Sequence, residues 1–280
     1  MHSELFHLGP LTIRAFGLAL ALGFAAAVWV GSRLAARAPA RAPDAFSALA
    51  VWMILAGVAG ARAAYVAEHW SVEFAPALAR GDVFALFRVD QGGLMFYGGL
   101  VGATLALALY ARATRDSFLG LADLVAAVLP LGHAFGRLGC FLHGCCYGRI
   151  SHAAFAVRFP RHSPAWYDHV ESGLLAETAA RSLPVLPTQL MESVFLFLLS
   201  AALILIMKRR KPFGTVTGWY LVCYGVWRFI IEFFRNDDRG AIGALSTSQF
   251  IGIFIVLGGA ALLLLIKFGV LRRYELPPPQ

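Results

Sequence analysis

Gly132-His133-Ala134-Phe135-Gly136-Arg137-Leu138-Gly139-Cys140-Phe141-Leu142-His143-Gly144-Cys145-Cys146-Tyr147-Gly148 closes an apolar segment that begins near Leu119. It holds two histidines, an arginine and three of the chain's four cysteines. A polar group buried in lipid is costly unless a partner satisfies it. Residues of this kind at the end of an apolar run therefore point to charge and thiol chemistry at a membrane boundary.

Composition outside this stretch supports the membrane reading. The 280 residues are 59% hydrophobic and only 14% charged, with mean hydropathy +0.69. Soluble domains carry about 25% charged residues. Apolar runs near the length of about 20 residues that a spanning helix needs occur at 11–34, 45–66, 92–111, 118–141, 189–207, 215–234 and 248–270. The expected fold is an all-α integral membrane protein with about seven transmembrane helices in a single polytopic domain, 1–280. Residues 69–91, polar and aromatic, read as an interfacial arm. Residues 148–187, rich in prolines and without an apolar run of spanning length, read as a small head outside the membrane.

Basic residues follow the first, third, fifth and seventh runs: Arg33, Arg37, Arg41, Arg112, Arg115, Lys208, Arg209, Arg210, Lys211, Lys267, Arg272 and Arg273. Lys and Arg gather in cytoplasmic loops, so the N-terminus is expected outside and the C-terminus in the cytoplasm. That explains the net charge of +8 without nucleic acid, which is not an expected partner. Residues 1–10 have no basic region before the apolar run, so no cleaved leader is expected.

Arginine at membrane depth marks a paired or functional site, and four stand apart from the basic loops: Arg14, Arg62, Arg137 and Arg228. Arg14, near a span end, equally fits topology or snorkelling. Arg228 precedes Glu232 by four residues, so both share one helix face, and Arg235 follows in the next turn. Either the pair only neutralises itself, or Glu232 orients the Arg228 fork toward a phosphate. Glycines flank Tyr97 in Gly92-Gly93-Leu94-Met95-Phe96-Tyr97-Gly98-Gly99-Leu100-Val101-Gly102. Close helix packing and a substrate cleft explain them about equally.

Taken in order, these pieces resemble the bacterial prolipoprotein diacylglyceryl transferase family over nearly the whole chain. The resemblance rests on Ile13-Arg14-Ala15-Phe16-Gly17-Leu18, Gly60-Ala61-Arg62 and the Tyr97 stretch. It continues through Gly136-Arg137-Leu138-Gly139 leading to Gly148, Pro187-Thr188-Gln189-Leu190-Met191-Glu192, and Arg228 to Arg235 with Asp238. It implies transfer of a diacylglyceryl group from phosphatidylglycerol to the lipobox cysteine thiol of a prolipoprotein, with release of glycerol phosphate. The setting it implies is the bacterial inner (cytoplasmic) membrane, with the active site on the periplasmic side. Arg137 and Arg228 would hold the phosphate and Glu232 would fix Arg228. Gly98, Gly99, Gly136, Gly148, Gln189, Glu192 and Arg235 would line the substrate site, with Asp123 a supporting polar group. No cofactor and no metal are implied.

The chain departs from the pattern in places. Typical members have His where Tyr97 stands, Tyr at Phe16, and Asn and Glu at Cys140 and Cys145. A phenol with a reference pKa near 10 is a poor base at neutral pH. His133, one turn before Arg137, is a second candidate base beside Tyr97. Cys140, Cys145 and Cys146 admit an altered acceptor site, a disulfide, a metal site or a plain structural role, although their spacing is not a known zinc pattern. An alternative function follows: a membrane thiol-redox or metal-binding paralogue on the same scaffold, without transferase activity. Cys223 reads as a small buried hydrophobe.

Overall fold

The computed structural model describes residues 4–8, 11–36, 43–89, 92–209, 211–236, 241–242 and 245–271, with 4–8, 11–14, 43–44 and 241–242 described by backbone alone. Arg37, Arg41, Arg210, Asp238, Arg272 and Arg273 lie outside the described residues, and the Arg14 side chain is not described.

The described chain is mostly helical, with two short antiparallel pairings and isolated bridges among residues 148–185 and at Arg235. Strands β1 (Glu4–Leu8) and β2 (Leu11–Arg14) form a hairpin before α1 (Ala15–Ala35). Then come α2 (Pro43–Glu68), a π turn over Trp70–Phe74, α3 (Ala75–Ala79) and a 3-10 turn over Val83–Phe87. Helices α4 (Phe96–Thr114), α5 (Phe118–His143), α6 (Pro164–Glu171), α7 (Thr188–Lys208) and α8 (Thr215–Glu232) follow. The second pairing, β3 (Ala241–Ile242) with β4 (Leu245–Ser246), leads into α9 (Thr247–Lys267).

Six of these helices are long and apolar enough to cross a membrane: α1, α2, α4, α5, α7 and α9. The run expected at 215–234 is α8, which has the length but not the hydropathy. Thr215, Thr217, Tyr220, Tyr224, Arg228 and Glu232 dilute its apolar residues. The arm expected at 69–91 contains the π turn, α3 and the 3-10 turn.

Two compact units emerge, one within Met1–Val30 and Asp123–Glu275, the other within Gly31–Ala122. In the second unit α2 packs along α4. A Cβ on Gly60 would strike the Gly98 carbonyl, and a Cβ on Gly98 would strike the Gly60 carbonyl. Helices in lipid lack a hydrophobic force between them, so close backbone approach at small residues supplies the contact. Gly98 and Gly102 thus stand where α4 packs closely on α2. In the first unit α8 and α9 meet in the same way, with Gly225 against Gly252 and Gly218 against Gly259.

The stretch expected as a head, 148–187, shares a core of Tyr147, Phe159, Ala165 and Val185, with Val157 and Phe141 of α5 against it. Ser163 caps α6 by accepting from the Trp166 N–H at 3.3 Å, and the Trp166 Nε1–H donates to the Ala179 carbonyl at 2.9 Å. Three backbone bonds close its base. Gly148 N–H donates to Leu186 O at 2.9 Å, Leu186 N–H to Arg149 O at 3.0 Å, and Arg149 N–H to Phe234 O at 2.9 Å. The end of α8 is thereby stitched to both chains of the head.

Candidate active site

Helix α5 carries His133, Arg137 and Cys140 at i, i+4 and i+7, so the three share one face. Helix α7 presents Gln189, Glu192 and Ser193 from its first turns, all buried. The Ser193 hydroxyl donates to the Ala134 carbonyl at 3.1 Å and the Ser200 hydroxyl to the Ala127 carbonyl at 2.7 Å, fastening α7 to α5. This register sets Glu192, 0% exposed, among two arginines and a histidine. Its Oε2 is 3.1 Å from Arg137 Nε and 3.9 Å from Arg235 Nη1, and its Oε1 is 3.7 Å from His133 Nε2.

A second ion pair stands on α8, where Arg228 Nη1 lies 2.8 Å from Glu232 Oε2. Both partners are held by the start of α9. Arg228 Nη2 donates to Ser248 Oγ at 2.8 Å, and the Ser246 hydroxyl donates to Glu232 Oε1 at 2.9 Å. Ser246 also caps α9, accepting from Gln249 N–H, and Gln249 Oε1 accepts from Ser246 N–H. The serines were not among the expected site residues. Their signal in the sequence is the capping pattern Ser246-Thr247-Ser248-Gln249. His133 links the two pairs, lying within electrostatic reach of Glu192, Arg137 and Arg228 and edge-on to Tyr224 at 5.8 Å.

The end of α5 turns sharply. Gly144 and Cys146 adopt left-handed backbone, with φ of +83° and +60°. Gln189 Nε2 donates to the Cys145 carbonyl at 2.8 Å and Thr188 Oγ1 to the Cys146 carbonyl at 3.0 Å. The turn brings the sulfurs of Cys140, Cys145 and Cys146 within 4.8 Å of one another, and all three are free thiols. Cys223, on α8, is also a free thiol.

Among the expected site residues, His133, Arg137, Gln189, Glu192, Arg228, Glu232, Arg235 and the three cysteines all belong to this one unit. Gly136 faces α1, 4.0 Å from Leu20 through a built Cβ, and Gly148 is pressed against Phe234, Thr188 and Leu186. A side chain at Gly148 would not fit, whereas one at Gly136 would meet only ordinary contact. Asp123 does not join the cluster. It lies about 21 Å along α5 from Arg137 at 1.5 Å per residue, and accepts from Gly214 N–H, Thr217 N–H and the Thr217 hydroxyl at 2.7–2.8 Å. A lone acid in an apolar run here caps the start of α8.

Tyr97, Gly98 and Gly99 belong to the other unit. Tyr97 is the second residue of α4, 54% exposed, with its ring edge against Phe96. Arg62 in that unit is a scaffold residue. Its guanidinium donates to the carbonyls of Ala85, Leu86, Gly92 and Gly93 at 2.7–3.3 Å, and it lies over the rings of Tyr65 and Phe74.

A family model described as prolipoprotein diacylglyceryl transferase matches residues 3–265. A protein of Clostridium perfringens (strain 13 / Type A) named phosphatidylglycerol–prolipoprotein diacylglyceryl transferase 2 is 32% identical over 252 residues, 90% of each chain. Two proteins carry the same name without the numeral. One, from Idiomarina loihiensis, is 35% identical over 255 residues, 90% of this chain and 87% of its own. The other, from Escherichia coli O1:K1 / APEC, is 31% identical over 278 residues, 92% and 91% of the two chains.

Proposed function

The chain belongs to the prolipoprotein diacylglyceryl transferase family, and from that premise we propose how its residues carry out the transfer. It is an enzyme of lipoprotein maturation, with phosphatidylglycerol as donor and a prolipoprotein as acceptor. The acceptor atom is the lipobox cysteine sulfur. The sulfur attacks the glycerol carbon that bears the phosphate, an S–C bond forms, the C–O bond breaks, and glycerol phosphate leaves with the electron pair. The thiol proton passes to a base.

One observation carries this reading: two arginines, each braced by a carboxylate, flank one histidine within a membrane protein. Arg137 pairs with Glu192 through Nε, so the Nη end of its fork is the part a phosphate would meet. Arg228, fixed by Glu232 and Ser248, supplies the second cation. Charge growing on the departing phosphate is stabilised by cations oriented before the reaction begins. His133 is the base we assign, being the titratable group shared by both ion pairs. A groove lined by Val226, Phe229, Ile230, Ile253, Val256 and Leu257 on α8 and α9 offers an acyl chain an apolar path beside Arg228.

The setting in the membrane follows from charge and apolar surface. With α8 counted as a seventh span, the basic loop ends support an N-terminus outside and a site on the periplasmic side of the inner membrane. The head is then periplasmic. The arm, with Trp70, Val72, Phe84 and Phe87 exposed, lies in the interface, and Arg62 holds its far end to α2.

The test is transfer of labelled diacylglyceryl from phosphatidylglycerol vesicles to a lipobox peptide by the reconstituted protein. Transfer is expected, with Arg137→Ala and Arg228→Ala each abolishing it and Cys223→Ala retaining it. No transfer by folded, inserted protein would sink the reading, and an active Arg137→Ala enzyme would sink the phosphate assignment. Loss of transfer in Tyr97→Phe but not in His133→Asn would move the base to Tyr97.

A further inference from the structure

We propose that Cys140, Cys145 and Cys146 form a three-thiolate site for a thiophilic divalent cation of the zinc type, whose fourth position takes the acceptor thiol as thiolate. The role of the fourth position rests on the transferase reading above; the metal site does not.

The geometry comes first. A cation with metal–sulfur bonds of about 2.3 Å holds its ligand sulfurs roughly 4 Å apart, which fits three sulfurs lying within 4.8 Å of one another. A disulfide would use two sulfurs and leave the third without a function. The spacing of the cysteines does not predict this convergence. It arises from the left-handed backbone at Gly144 and Cys146, which folds the chain back on Cys140. Buried Gln189 and Thr188 hold the carbonyls of Cys145 and Cys146 and so fix the turn. Each cysteine is part-exposed.

Charge narrows the class of cation. Arg137 and Arg235 act on Cys146 electrostatically, and Arg137 acts on Cys140. Both arginines also face Glu192. Three thiolates are soft ligands of the kind that select zinc-type ions, and their charge is offset better by a divalent cation than by a monovalent one.

Chemistry supplies the role. The three thiols release their protons as the metal binds, and three protein ligands leave a fourth position open. A thiol bound there loses its proton to solvent, because coordination to the cation deprotonates it. The bound sulfur then attacks the donor carbon one helical turn from Arg137, the leaving phosphate takes the C–O electron pair, and the neutral thioether product dissociates from the metal.

Purified protein under reducing conditions is titrated with Co(II) and then Zn(II), and a lipobox peptide is added. One equivalent of Co(II) should give thiolate-to-metal charge-transfer absorption that Zn(II) abolishes. Cys140→Ser, Cys145→Ser and Cys146→Ser should each weaken binding by about tenfold or more, and Cys223→Ser should not. The peptide should intensify the charge-transfer band, its Cys→Ser analogue should not, and chelation should depress transfer until Zn(II) is restored. Binding that ignores the three cysteines, or a disulfide among them in the protein as isolated, overturns the site. Co(II) binding combined with full transfer by metal-free enzyme overturns the thiolate role. Cysteine-dependent Co(II) binding with no transfer in any metal state supports the site and overturns the transferase reading.

Discussion

Arg137 Nε lies 3.1 Å from Oε2 of Glu192, a carboxylate with no solvent exposure, so an arginine on α5 is held in place by an acid on α7. Glu192 also faces Arg235 and His133. Removing one member of a buried ion pair costs about 3–5 kcal/mol because the partner is left uncompensated. Glu192→Gln keeps the shape and removes the charge. It should lower the thermal midpoint of the purified protein and reduce transfer by roughly a hundredfold or more, as loss of an oriented transition-state donor does. A variant with wild-type transfer and midpoint would show that Arg137 needs no carboxylate.

Arg228 is held twice, by Glu232 and by the Ser248 hydroxyl at 2.8 Å. Ser248→Ala removes one hydrogen bond to a charged group, worth about 1.5–3 kcal/mol, and leaves the ion pair standing. Transfer by Ser248→Ala should therefore fall by about ten- to a hundredfold, while Arg228→Ala abolishes it. Arg228→Lys should rescue little, since an ammonium cannot engage carboxylate, serine and phosphate in one plane. Initial rates on phosphatidylglycerol vesicles separate these cases. Equal losses in Ser248→Ala and Arg228→Ala would make the serine part of the phosphate site.

Much of the site was readable wherever the interaction is local. Arg228 and Glu232 sit four apart on one helix, and the structure pairs them. Arg137 and Glu192 each stand out in the sequence, but not as partners, because they lie 55 positions apart on two helices separated by residues 144–187. Asp123 was misplaced for the same reason: its partners, Gly214 and Thr217, come from a distant helix start. The glycines beside Tyr97 read equally as packing or as a cleft, and the close approach of Gly60 to Gly98 becomes visible only in the structure. The convergence of the cysteines depends on left-handed backbone at Cys146, a conformation that non-glycine residues rarely adopt. Spacing carries no trace of it.

Asp123 predicts a defect in stability without one in chemistry. Its carboxylate accepts two backbone N–H groups and one hydroxyl at the start of α8, acting as a cap supplied from another helix. Loss of a side-chain cap costs about 0.5–2 kcal/mol. Asp123→Ala should therefore unfold at lower temperature, while the folded fraction transfers lipid at the wild-type rate. Asp123→Asn, which keeps an acceptor, should recover part of the difference. A large fall in transfer per folded molecule would return Asp123 to the site.

His169 makes the head sensitive to acid. Its ring is buried, 2% exposed, and Nδ1 accepts the Leu183 N–H at 3.3 Å, so the neutral tautomer with hydrogen on Nε2 is the one that fits. Burial lowers its pKa from the usual 6.5, and the charge of Asp168 opposes this only in part. Tyr147, edge-on at 5.6 Å, donates its hydroxyl to Asp168. Because the folded pKa is the lower one, the unfolded head binds more protons as pH falls below 6.5. The associated stability is present above that value and is lost progressively down to the folded pKa. Hydrogen exchange at Leu183 and in α6 should accelerate as pH drops through this window, after correction for intrinsic rates. In His169→Gln, which cannot titrate, the corrected exchange should be flat with pH. An equal acid response in that variant would assign the sensitivity to another group.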